Sequence, residues 1–171
     1  MQRNHFGIIV ILIPVLLLFE GCTVKYSLTG ASISPEIKSA SIQYFQNRAS
    51  IVNPTLSQDL TDALREKIQD QTRLTTVDDF GDVNFEGTIT EYGTRPIAIT
   101  AEERAAQNRL TIGIRVKYTN TVEPDLSFES TFSRYEDYSS DLSLNEVEGE
   151  KVELIVEQLV QDIFNEAFVN W

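Results

Sequence analysis

Apolar and polar positions alternate with period two over three stretches in the middle of the chain. Val83, Phe85, Gly87 and Ile89 alternate with Asn84, Glu86, Thr88 and Thr90. Leu110, Ile112, Ile114, Val116 and Tyr118 alternate with Thr111, Gly113, Arg115 and Lys117. Leu126, Phe128 and Phe132 alternate with Ser127, Glu129, Thr131 and Ser133. Such alternation predicts strands of a sheet with one buried and one polar face. An earlier strand is expected at Ser39–Phe45, with Ala40, Ile42 and Tyr44 on one face.

Two stretches change to helical spacing. Leu56, Leu60, Ala63, Leu64 and Ile68 recur at intervals of three and four, which predicts a helix from about Thr55 to Gln71, just after Asn53-Pro54. Ser143-Leu144-Asn145-Glu146 has the spacing of a capping box. It opens a longer helix whose wide apolar stripe runs from Val152 to Phe168. The sheet's apolar face needs a cover, and two amphipathic helices can supply it. The expected fold is therefore α+β: a two-layer sandwich, with both helices on one face of a small mixed, largely antiparallel sheet. Glu123-Pro124-Asp125 reads as a turn, and Ala98–Gln107 as a longer polar loop.

The N-terminus has a different pattern. Arg3 precedes an apolar run from Gly7 to Phe19, broken only by Pro14, and then come Gly21 and Cys22, the single cysteine. A run this short reads as a secretory signal rather than a spanning helix. Leu18-Phe19-Glu20-Gly21-Cys22 resembles a bacterial lipobox, in which cleavage precedes a cysteine that then carries diacylglycerol. That resemblance divides the chain into a signal at 1–21, a lipid anchor and tether at 22–35, and one α+β domain at 36–171. The alternative is an ordinary signal peptide followed by a free thiol.

Charge and composition narrow the function. The formal net charge is −12, which argues against nucleic acid as a partner. The one histidine, His5, lies within the signal, so the domain has no imidazole base, and a lipidated Cys22 offers no thiolate. Cys/His zinc sites and histidine-dependent triads are thereby excluded. No calcium-loop pattern of acids is present, so no metal or cofactor is implied. Carboxylate-pair hydrolysis stays open as a reading, but no cluster marks a site for it.

Several phrases together resemble the LptE-type lipopolysaccharide-assembly lipoproteins. They include Ser27-Leu28-Thr29-Gly30-Ala31-Ser32-Ile33, Ser41-Ile42-Gln43-Tyr44-Phe45 and Val52-Asn53-Pro54-Thr55-Leu56-Ser57. Phe85-Glu86-Gly87, Thr94-Arg95-Pro96-Ile97-Ala98-Ile99 and the segment from Glu157 to Trp171 extend the likeness over nearly all of the domain. The resemblance implies a non-enzymatic outer-membrane lipoprotein, lipid-anchored on the periplasmic side. It would plug an LptD-type β-barrel, assist its assembly and help deliver lipopolysaccharide to the outer leaflet. A generic periplasm-facing ligand-binding or envelope-assembly lipoprotein of the same fold is the alternative.

One strand carries candidate ligand-binding residues. With Leu110, Ile112, Ile114 and Val116 turned inward, Arg109, Arg115 and Lys117 share the opposite face, and Arg95 lies across the hairpin. A basic strip on so acidic a protein would suit the phosphates of an anionic glycolipid such as lipopolysaccharide. The competing expectation is ordinary cross-strand pairing of Arg109 with Asp137 and Lys117 with Glu129.

Overall fold

The computed structural model describes residues 33–97 and 107–169. The chain runs β1 (Ser39–Ile42), β2 (Gln46–Asn47), α1 (Leu56–Gln71), β3 (Thr75–Val77) and β4 (Val83–Ile97). It continues through β5 (Gln107–Asn120), a 3-10 turn at Pro124–Leu126, β6 (Phe128–Ser139) and α2 (Leu144–Phe168). The sheet order is β3-β1-β4-β5-β6, with β2 also pairing β4. Pairings of β1 with β3 and β4, and of β2 with β4, are parallel; β4-β5 and β5-β6 are antiparallel. The sheet is mixed, and two helices cover one of its faces, as the periodicity predicts.

The core sits between those layers. Leu56, Leu60, Leu64 and Ile68 of α1 are fully buried, as are Ile155, Leu159 and Ile163 of α2. They meet Val83, Phe85 and Ile89 of β4 and Leu110, Ile112, Ile114 and Val116 of β5 within one cluster. Toward one end, Phe85, Tyr118, Phe164 and Phe168 form an aromatic knot, with Phe85 and Tyr118 4.9 Å apart. The capping box is formed, with Ser143 and Glu146 bonded reciprocally. Those bonds hold the Glu146 carboxyl below its usual range. Helix α1 starts differently: Asn53 Oδ1 accepts from the amides of Thr55 and Leu56, while Thr55 itself makes no side-chain cap.

Four details differ from the periodic reading. The first strand ends at Ile42, and Tyr44 is 60% exposed while Phe45 is fully buried. Ile42 pairs with Phe85 and Gln46 with Thr88, so the β1-β2 segment spends four residues where β4 spends three. A one-residue surplus reverses which side chains point inward. Phe45 then lies over Gly87, where a Cβ would come within 2.5 Å of its ring.

Leu126 belongs to the 3-10 turn rather than to a strand, and β6 continues to Ser139. Its inner face there is polar because α2 answers it. Arg134 makes two bonds to Asp162, at 2.6 and 2.7 Å, and Gln158 donates to Glu136. Strand β4 runs on to Ile97 past a bulge at Thr90, after which Tyr92 takes up the buried face. The short edge strand β3 carries no alternation long enough to detect.

Candidate functional site

The sheet face turned away from the helices is the candidate surface. Along β5 it presents Gln107, Arg109, Thr111, Gly113, Arg115 and Lys117, flanked by β4 and β6. Arg95 pairs in register with Arg109, so two cations stand side by side near the hairpin tip. Arg109 is the better held: its guanidinium donates to both Asp137 oxygens, at 2.7 and 2.9 Å. It also lies 3.6 Å from the centre of the Tyr135 ring. The Asp137 bonds raise the Arg109 pKa above its ordinary value, and the Asp137 carboxyl is correspondingly lowered. Arg95 is exposed and makes no ion pair among the described residues.

Arg115 and Lys117 lie further along the strand. Eight residues separate Arg109 from Lys117, roughly 27 Å at the rise of a strand. The structure thus gathers the four cations into two pairs, Arg95 with Arg109 and Arg115 with Lys117. Gly113 and Thr111 occupy the ground between them. Arg115 is exposed between Thr88 and Thr131. Lys117 reaches Glu86 at 3.4 Å rather than Glu129, because both carboxylates flank it in register and its ammonium turns toward β4. Both partners are more than half exposed, so that pair contributes little.

Two features of this face were not legible as site residues. Tyr135 is half exposed and supplies the ring under Arg109. Continuing the period-two alternation from Phe132 would have placed it there. Thr111, between Gly93 and Tyr135, keeps a buried hydroxyl without a hydrogen-bond partner. The space above Gly93 is open. Among the described residues no group of three or more His, Cys, Asp or Glu could hold a metal ion. Cys22 lies outside the described residues.

On the helix side of the hairpin, a polar cluster ties three elements together. Asn53 donates to Glu148 at 3.0 Å, and the Tyr92 hydroxyl donates to the same Glu148 oxygen. Burial, and then that bond, push the Tyr92 phenol up to about 12. Its proton is held more tightly in the folded chain, so the stabilisation is complete below pH 10 and is lost as pH rises through 12. Tyr92→Phe is expected to cost about 1.5–3 kcal/mol at neutral pH. The variant should also lose less stability than the parent between pH 10 and 12, measured by urea unfolding at several pH values. Burial raises Tyr118 as well, so some alkaline loss will remain in the variant. Parallel curves for parent and variant would sink this assignment.

The family profile described as LptE, lipopolysaccharide-assembly, matches residues 37–167. The chain belongs to the LptE family. That match spans every strand and nearly all of α2, so family membership covers the whole layered fold just described. LptE is a family of assembly lipoproteins, not of enzymes. Several solved structures are similar to this chain at low identity. A minor lipoprotein from Acinetobacter baumannii is 14% identical with a TM-score of 0.50, covering 76% of this chain and 91% of its own. PelC from Paraburkholderia phytofirmans, a dodecamer, is 6% identical with a TM-score of 0.50, covering 81% and 94%. The rare lipoprotein B from Shewanella oneidensis is 12% identical with a TM-score of 0.46, covering 74% and 89%. No sequence among curated proteins matches the chain.

Proposed function

We propose that this LptE-family protein is an outer-membrane lipoprotein held on the periplasmic side by lipid on Cys22. In this reading residues 1–21 are a cleaved signal, 22–35 a tether and 36–171 the working domain. The protein assists assembly of an LptD-type β-barrel and the delivery of lipopolysaccharide to the outer leaflet. Family membership over residues 37–167 is the observation that carries the reading. Among the described residues no helix is long and apolar enough to cross a membrane. A wide barrel has a lumen to fill, and a compact two-layer domain has the shape to fill it.

The open sheet face is the part best suited to meet the glycolipid. Like charges directly opposite on neighbouring strands are unfavourable, and Asp137 neutralises only one of Arg95 and Arg109. A phosphate would relieve that repulsion through charge-assisted hydrogen bonds. The unpaired Thr111 hydroxyl beside the open space at Gly93 is a further group that a sugar or phosphate oxygen could satisfy. Arg115 and Lys117 would extend the contact along β5.

Arg95→Glu is the cleanest test, since it breaks no ion pair in the described fold. Binding of purified lipopolysaccharide is expected to weaken about tenfold, one charge-assisted bond's worth. Folding and co-purification with the barrel should be unchanged. Arg115→Glu should have a smaller effect. Equal affinity in parent and Arg95→Glu would leave the cations as sheet decoration. Depletion of the protein should reduce assembled barrel and surface lipopolysaccharide; normal levels of both would leave only a generic lipoprotein of this fold.

A further inference from the structure

Away from the sheet, α1 and α2 run parallel, with Asn53 bonded to Glu148 at their starts and Lys67 to Gln161 near their ends, and they leave a groove of about 880 Å³ between their outer faces. Its floor is apolar, made by Ala63, Val152, Val156 and Val160. Its walls are acidic: Asp59, Glu66 and Asp70 on α1 face Glu153 and Glu157 on α2. None of these five carboxylates makes an ion pair among the described residues. The one lysine of the lining, Lys67, is drawn aside, bonded to Gln161 at 2.6 Å and lying over the Phe164 ring.

Apart from Asp59, which suits the first turn of α1, these acids bring their helices no gain. Glu66 and Asp70, and likewise Glu153 and Glu157, are like charges at i,i+4, which weakens a helix. Gly149 adds a second cost, because glycine within a helix is unfavourable relative to alanine. No packing need explains it: a Cβ there would meet nothing within 4 Å, yet the residue lines the groove. A notch at one end of an acid-walled, apolar-floored channel leaves room for another backbone to approach closely.

We propose that this groove docks a basic amphipathic helical segment of a partner protein. The apolar floor would take a narrow stripe of its aliphatic side chains, and lysines or arginines flanking that stripe would meet the two acidic walls. Asp59 to Asp70 spans about 16 Å of helix, so the wall matches a row of cations rather than a single ion. The absence of any metal-competent acid cluster among the described residues argues the same way. A second copy of this chain is a poor occupant, since its own helix faces are acidic. The groove lies on the opposite side of the molecule from the basic sheet face, so both surfaces can be engaged together.

The test uses the full chain in detergent and a fluorescent probe: a synthetic helical peptide with leucines at i and i+4 and lysines on both flanks. Glu153→Gln with Glu157→Gln should weaken binding at least tenfold. Gly149→Leu, which changes no charge, should weaken it as much by filling the notch, while circular dichroism stays native. Asp78→Asn with Asp79→Asn, which removes two acids from the loop before β4, should leave affinity within twofold. Weakening by every acid-removing variant but not by Gly149→Leu would mean general charge attraction and would overturn the proposal. Equal affinity throughout, or concentration-dependent self-association abolished by Gly149→Leu in sedimentation, would overturn it too.

Discussion

Cys22→Ser is expected to move the protein from the membrane fraction to the soluble or unprocessed pool, with no acyl-chain labelling. The reasoning is energetic. Each buried methylene contributes about 0.8 kcal/mol, and a stable anchor needs two chains or one chain plus a second signal. A diacylglycerol thioether supplies two chains at one atom, and the chain's net charge of −12 offers no electrostatic attraction to an anionic membrane surface. Removing the sulfur therefore removes the whole attachment rather than weakening it. Labelling with a clickable fatty acid, followed by fractionation, reads both effects. Unchanged labelling in Cys22→Ser would place the lipid elsewhere and defeat the proposed anchor, while leaving the barrel reading to be judged by co-purification.

Phe168→Ala should produce the largest loss of stability in the folded domain, about 3–5 kcal/mol. The ring is almost wholly buried and edge-on to Phe85, Tyr118 and Phe164, at 6.0, 6.1 and 5.2 Å. Removing it leaves a cavity where the last turn of α2 closes over β4 and β5. It also forfeits several aromatic contacts, each worth about 0.5–1.5 kcal/mol beyond area. Phe80→Ala is the control, since that ring is 85% exposed and should change stability by less than about 0.5 kcal/mol. Urea unfolding at neutral pH gives both values. A loss below about 1 kcal/mol for Phe168→Ala would mean that the end of α2 is not docked as described. Because the slope with urea reports exposed area, an unchanged slope would confirm that the loss comes from the native contacts.

What the residues alone reveal about this protein is whatever depends on near neighbours in sequence. Both helices show their stripes because i, i+3 and i+4 positions share a face whatever they pack against. The Ser143 and Glu146 capping box is complete within four residues. The alternation in β4 and β5 survives because both strands are flanked on each side and buried on one face only. The same local rule placed Arg109, Arg115 and Lys117 on the open face, whereas Arg95 comes to lie beside Arg109 there only through the bulge at Thr90.

The rest required partners distant in the chain. Alternation misassigned Tyr44 and Phe45 because the surplus residue between Ile42 and Gln46 exists only relative to β4. It lost β6 after Phe132 because the inner positions Arg134 and Glu136 are polar, and only Asp162 and Gln158 of α2 make that tolerable. The choice of Glu86 over Glu129 for Lys117, and the seat of Arg109 between Asp137 and Tyr135, depend on which strands lie alongside β5. The acid-walled groove is likewise invisible in either helix alone, since each shows only a solvated face. Periodicity is a property of one segment, whereas bulges, ion-pair partners and grooves are properties of two, and only the tertiary structure says which two.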